Sequence, residues 1–114
     1  MRAASSILAL TLAAGALPAP GQPTKPGMRT GEEIYAATCA ACHEQGAANA
    51  PKVGDRARWA PLIKEGLKEL TTDAIKGKGA MPPKGGDATL TREEISRAIV
   101  HMANRSGAKW KERK

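Results

Sequence analysis

The stretch Cys39-Ala40-Ala41-Cys42-His43 constrains this chain more than any other. It holds both cysteines and one of the two histidines among 114 residues. A Cys-x-x-Cys-His run sets two thiols about a helical turn apart with an imidazole beside the second, the pattern through which c-type haem is attached. The imidazole then serves as an axial iron ligand. Other uses of paired thiols fit less well. A disulfide between cysteines so near in sequence closes a tiny loop and stabilises a fold little. A thioredoxin-like dithiol needs a βαβ pattern around it, and no convincing strand is discernible. A structural zinc site asks for four ligands where this cluster offers three. The expectation is one haem c, bonded through Cys39 and Cys42, with His43 on the metal.

The N-terminus reads as a leader and not as part of the fold. Arg2 precedes an apolar run from Ile7 to Leu17, and Pro18, Pro20, Pro23 and Pro26 follow. A basic start, an apolar segment and a small-x-small site at Ala14-Gly15-Ala16 describe a secretory signal over residues 1–16. The run falls short of the roughly 20 residues that span a bilayer, leaving an uncleaved weak anchor as the alternative. Residues 17–28 read as a Pro/Gly-rich linker. Export, to a bacterial periplasm, is the expected address.

The net charge of +7 can mean nucleic acid, anionic membrane or acidic protein as a partner. Two Trp, one Tyr and no Phe leave few rings for base stacking, and an exported chain meets no nucleic acid. The charge is read as a docking or solubility feature.

The folded domain is expected over residues 29–107. Thr30-Gly31-Glu32-Glu33 forms a capping box that opens a helix running towards the cysteines. Tyr35, Cys39 and Cys42, at i, i+4 and i+7, are expected to share its haem-facing side. A loop from Glu44 to Asp55 follows, in which Pro51 either punctuates a turn or offers its carbonyl to His43. A second helix starts between Asp55 and Ala60 with Pro61 in its first turn and Leu62, Ile63 and Leu67 as its apolar stripe. Trp59 packs in the core or turns its indole N–H to a haem carboxylate. A third helix is expected from Thr71 or Thr72 to Gly77.

Gly77-Lys78-Gly79-Ala80-Met81-Pro82-Pro83-Lys84-Gly85-Gly86 lacks the spacing of a phosphate-binding loop. A loop methionine usually fills a gap, yet a haem lacking its second axial ligand makes Met81 the best sulfur donor. Thr91-Arg92-Glu93-Glu94 is a second capping box, opening a helix with Ile95, Ala98, Ile99 and Met102 turned inward. His101 lies beside that stripe, where a partly buried or surface position is favoured over an iron ligand. Gly107 stops the helix, and residues 108–114 read as a frayed basic tail that could touch a membrane or an acidic partner.

With these motifs in hand, the chain resembles the bacterial class I c-type cytochromes, in particular the cytochrome c5 group. The resemblance rests on the Cys-x-x-Cys-His run, Ala50-Pro51-Lys52-Val53-Gly54-Asp55, Trp59-Ala60-Pro61 and the Met-Pro-Pro-Lys-Gly-Gly loop. It implies an all-α fold, with N- and C-terminal helices crossing around one covalently attached haem. It also implies His43 and Met81 as axial ligands, a hydrogen bond from His43 to the Pro51 carbonyl, and Trp59 near the haem. The chain lacks a cysteine pair that commonly ties the methionine loop to the last helix in that group. It also has His101 where tyrosine is usual.

The expected function is one-electron transfer between redox proteins, by a carrier and not an enzyme. A haem subunit of a larger complex, or a sensor or peroxidase-like protein opened by loss of Met81, are the alternatives. Lys52, Lys76, Lys78 and Lys84 are expected to border the haem and steer the protein to acidic partners. So few large aromatics make a meagre core, which the cofactor would complete.

Overall fold

The computed structural model describes residues 27–112. The expected leader and most of the linker lie outside the described residues.

The chain opens with α1 (Gly31–Ile34), which continues without a break into a π-helical segment (Tyr35–Cys39) and then α2 (Ala40–His43). The capping box forms as expected: the Thr30 hydroxyl accepts the Glu33 N–H, and the Glu33 carboxylate accepts the Thr30 N–H. The π segment overturns the expected sharing of one face. Its widened turn shifts the register, so Cys39 and Cys42 face a cleft from which Tyr35 is absent. Tyr35 is buried on the other side, its ring 5.3 Å from that of His101.

α3 (Arg56–Glu65) starts where the Asp55 carboxylate accepts the Arg58 N–H at 3.1 Å. That cap leaves Pro61 past the first turn, on the exposed side of the helix interior, where water can satisfy the carbonyl its missing N–H would have bonded. Gly66, at φ +96°, separates α3 from α4 (Leu67–Lys76). The third helix therefore begins at Leu67, ahead of the expected start at Thr71 or Thr72. Thr71 sits inside it and returns its hydroxyl to the Leu67 carbonyl at 2.6 Å in place of capping. Gly77 ends α4 as expected, at φ +83°.

α5 (Arg92–Asn104) carries the second capping box, and Ile95, Ala98, Ile99 and Met102 are all buried. α1 crosses α5 so tightly that a β-carbon on Gly31 would lie 2.2 Å from the Arg97 carbonyl oxygen. Among the described residues there is no strand, only an isolated bridge between Lys78 and Met81. The all-α architecture with crossing terminal helices thus stands.

Two polar features hold the periphery. Glu94 is fully buried and takes Arg29 on both carboxylate oxygens, at 2.6 and 3.0 Å. Ser106 accepts the Gly54 N–H at 2.9 Å and donates to the Met102 carbonyl, pinning the loop before α3 to the end of α5. Beyond Gly107 the chain does not fray at once. Ala108 is buried, and the Asn104 side chain bonds both the N–H and the carbonyl of Trp110, each at 2.8 Å. An amide that donates and accepts can hold a backbone as a neighbouring strand would, and Trp110 adds apolar contact to the core.

Candidate haem site

The helices and loops enclose a cleft of about 470 Å³. Pockets for cofactor-sized ligands fall in the range of about 300–1,000 Å³ and are mostly apolar. α5 supplies Ile95, Ala98, Ile99 and Met102 to the lining, and α4 supplies Leu70 and Ala74. Cys39, Cys42 and His43 enter from the first helical stretch, and Met81 from the loop after α4. All four expected site residues therefore border one space. Among the described residues no buried side-chain nitrogen or oxygen is left without a partner.

Cys39 is half-buried and Cys42 exposed, and they are not joined to each other. Burial pushes the Cys39 thiol up to about 11, which keeps it protonated at neutral pH. Thiol–disulfide chemistry needs a thiolate, so this position is poor for a redox-active dithiol.

His43 has its Nδ1 2.9 Å from the Pro51 carbonyl oxygen. A carbonyl only accepts, so Nδ1 carries a proton, and in the neutral imidazole Nε2 is then the nitrogen with the free lone pair. The Val53 N–H also bonds the His43 carbonyl at 2.8 Å, tying loop to helix at the same residue. Of the two readings of Pro51, the hydrogen-bonded one holds. The Trp59 ring lies 6.4 Å from the His43 ring, but its indole N–H donates to the Lys52 carbonyl at 3.0 Å. Packing is thus its role, and that N–H is not available to a carboxylate.

Met81 is set by paired backbone bonds with Lys78, at 3.0 and 3.1 Å. The loop closes so tightly that a β-carbon on Gly77 would fall 2.8 Å from the Met81 carbonyl oxygen. Lys84 adopts φ +56°, and its ammonium caps the Leu90 carbonyl at 2.9 Å. His101 takes no part in the cleft.

Of the four lysines expected at the rim, Lys78 and Lys84 line the cleft, whereas Lys52 and Lys76 do not. Arg58 was not foreseen there. Its guanidinium reaches back to the Asn49 backbone and side-chain oxygens at 2.7 and 3.4 Å. No local pattern announces it, because the loop that brings Asn49 to α3 turns through left-handed Ala48 and Asn49. The sulfur and nitrogen donors, the free Nε2 and the apolar enclosure fit a haem held by two thioethers.

Relatives agree. A family model described as cytochrome c oxidase, cbb3-type, subunit III matches residues 26–102. Cytochrome c-555 of Chlorobaculum tepidum is 46% identical over 80 residues, covering 67% of this chain and 74% of the relative. Cytochrome c5 of Azotobacter vinelandii is 43% identical over 79 residues, covering 68% and 95%. A cytochrome c solved in an electron-transfer complex with nitrite reductase superposes with a TM-score of 0.65 at 42% identity, covering 68% of this chain and 94% of that one. The chain belongs to the small bacterial class I c-type cytochromes: it binds one haem c covalently and carries single electrons between redox proteins, without acting as an enzyme.

Proposed function

We propose that Cys39 and Cys42 form the two thioethers, that His43 Nε2 and the Met81 sulfur are the axial ligands, and that the carrier works in the periplasm against acidic partner surfaces. The observation that carries this reading is the Nδ1 contact to Pro51, which leaves Nε2 free in a cleft that Met81 also lines. When bound there, haem supplies a one-electron iron couple. The protein supplies the rest. Pro51 holds the imidazole ring at a fixed angle and raises its basicity, so little reorganisation accompanies a change of charge. The soft Met81 thioether and the apolar walls disfavour the additional positive charge of the oxidised centre, which raises the potential. With His43 and Met81 both committed to the metal, bound haem would offer no open position to peroxide or oxygen.

Arg58, Lys78 and Lys84 give the cleft rim a positive edge. Lys78 is exposed and only loosely paired with Asp73 at 3.7 Å, so its charge remains effective towards a partner. In the same reading, residues 1–16 are removed on export and residues 17–28 remain as a Pro/Gly-rich leader to the domain. Mass measurement of the mature protein from a periplasmic extract checks this, and a retained Met1 would count against it.

The deciding experiment is the ferric optical spectrum. The weak red charge-transfer band of iron–methionine coordination is expected in the native protein and absent in Met81→Ala. A high-spin native spectrum at neutral pH, or a band that survives in Met81→Ala, would remove Met81 from the ligand set.

A further inference from the structure

Residues 82–90, which follow Met81, have a loop's weaknesses. Lys84 holds a left-handed backbone that ordinarily suits glycine, and Gly85 and Gly86 continue at positive φ. Such a segment keeps its shape only if its surroundings impose it. The segment ties itself internally, through Lys84 to the Leu90 carbonyl and through Thr89 to the Asp87 carboxylate. Among the described residues, the side-chain hydrogen bonds that leave it all end on Arg29. The Arg29 guanidinium reaches Asp87 at 3.3 Å and the carbonyl and hydroxyl of Thr89, each at 3.4 Å. The same guanidinium is anchored on buried Glu94 of α5, which the Thr91 and Arg29 N–H groups also bond. Arg97 in turn holds the backbone at Gly27 and Arg29.

We infer that Arg29 is a positioning residue for the Met81 loop: seated on Glu94, it clamps Asp87 and Thr89 and so holds the methionine over the cleft. The inference rests on Met81 being a ligand. Arg29 lies 65 residues from Glu94 and 58 from Asp87, so the clamp joins both ends of the domain. Opening of the loop withdraws the thioether and exposes the metal. The fraction open multiplies directly into the apparent affinity of any outside ligand.

Asp87→Asn isolates the clamp. It leaves Arg29 on Glu94, keeps an oxygen for Thr89, and puts an amide where the guanidinium met a carboxylate. Imidazole titration of the ferric holoprotein, followed optically, measures the opening. A half-exposed ion pair of this kind predicts an apparent imidazole affinity about two- to fivefold higher in Asp87→Asn, with the global unfolding midpoint lowered by no more than about 5 °C. Equal affinities in the native protein and Asp87→Asn would overturn the clamp while leaving Met81 as ligand. Met81→Ala serves as the fully open reference. If it binds imidazole no more tightly than the native protein, the ligand assignment and the clamp fall together.

Discussion

Replacing Gly31 with alanine tests whether the helix crossing holds this domain together. A β-carbon there would stand 2.2 Å from the Arg97 carbonyl oxygen, 2.7 Å from its carbon and 3.2 Å from the Ala98 nitrogen. Carbon and carbonyl oxygen normally meet at about 3.3 Å, so α1 must retreat from α5 by roughly 1 Å. All three opposing atoms are main chain inside α5, and no rotamer change relieves them. Overpacking costs about 1–3 kcal/mol where side chains can adjust, and this site belongs at the upper end. The gain from alanine in a helix offsets at most about 1 kcal/mol. A net loss of about 2 kcal/mol follows, or about 10 °C in melting temperature for a domain of this size. Thermal unfolding of the ferric protein, read by far-ultraviolet circular dichroism and by the haem absorbance together, measures it. An unchanged or higher midpoint in Gly31→Ala would refute the claim that backbone contact sets the crossing.

The Glu94 carboxyl is held down to about 2, chiefly by its hydrogen bond from Arg29. A depressed acid stabilises the fold above its unfolded value near 4.5, and that contribution is lost as pH falls towards 2. Denaturant titrations from pH 7 to pH 2 should therefore show falling stability in that window. Glu94→Gln should be less stable by about 3 kcal/mol at pH 7, with a flatter acid limb; parallel curves would remove Glu94 as the cause. On the docking reading, reduction by an acidic redox partner should slow as ionic strength rises, because the chain keeps a net charge of +6 of its +7 once Arg2 is removed with residues 1–16. A rate constant flat across a wide salt series would sink the docking reading.

Both capping boxes could be read from the sequence because each is a bond between residues three apart. The stop at Gly77 was legible because the left-handed backbone that ends a helix suits glycine itself. The attachment motif was equally local, and the cleft brings its residues to the space that Met81 borders. What escaped was whatever depends on distant parts of the chain. Glu94 read only as a capping residue, because Arg29 meets it across 65 positions. The stripe of the second helix was carried on to Leu67, whereas the positive φ of Gly66 makes it a boundary and places Leu67 in the next helix. Trp110 read as part of a solvated tail because nothing near it marks Asn104 as its partner.

The π-helical segment is the hardest of these to foresee and bears most directly on the site. In regular α geometry Tyr35 would turn to the same side as Cys39 and Cys42, placing a phenol against the cofactor. The widened turn sends it to the opposite side, between His101 and the Arg105 guanidinium, which lies 5.5 Å from the ring centre. There the Tyr35 hydroxyl donates to the Glu44 carboxylate. Burial, with help from Glu44, pushes the phenol up to about 12, so it remains a donor at any working pH. Tyr35 opens the π segment and Glu44 caps α2, so their bond spans the whole attachment motif from behind. His43 is therefore braced twice, by Pro51 on its ring and by this span on its helix. The bulge removes a polar group from the cleft and converts it into a brace. An apolar cleft and a stiffly held imidazole are what a carrier that changes charge without changing shape requires.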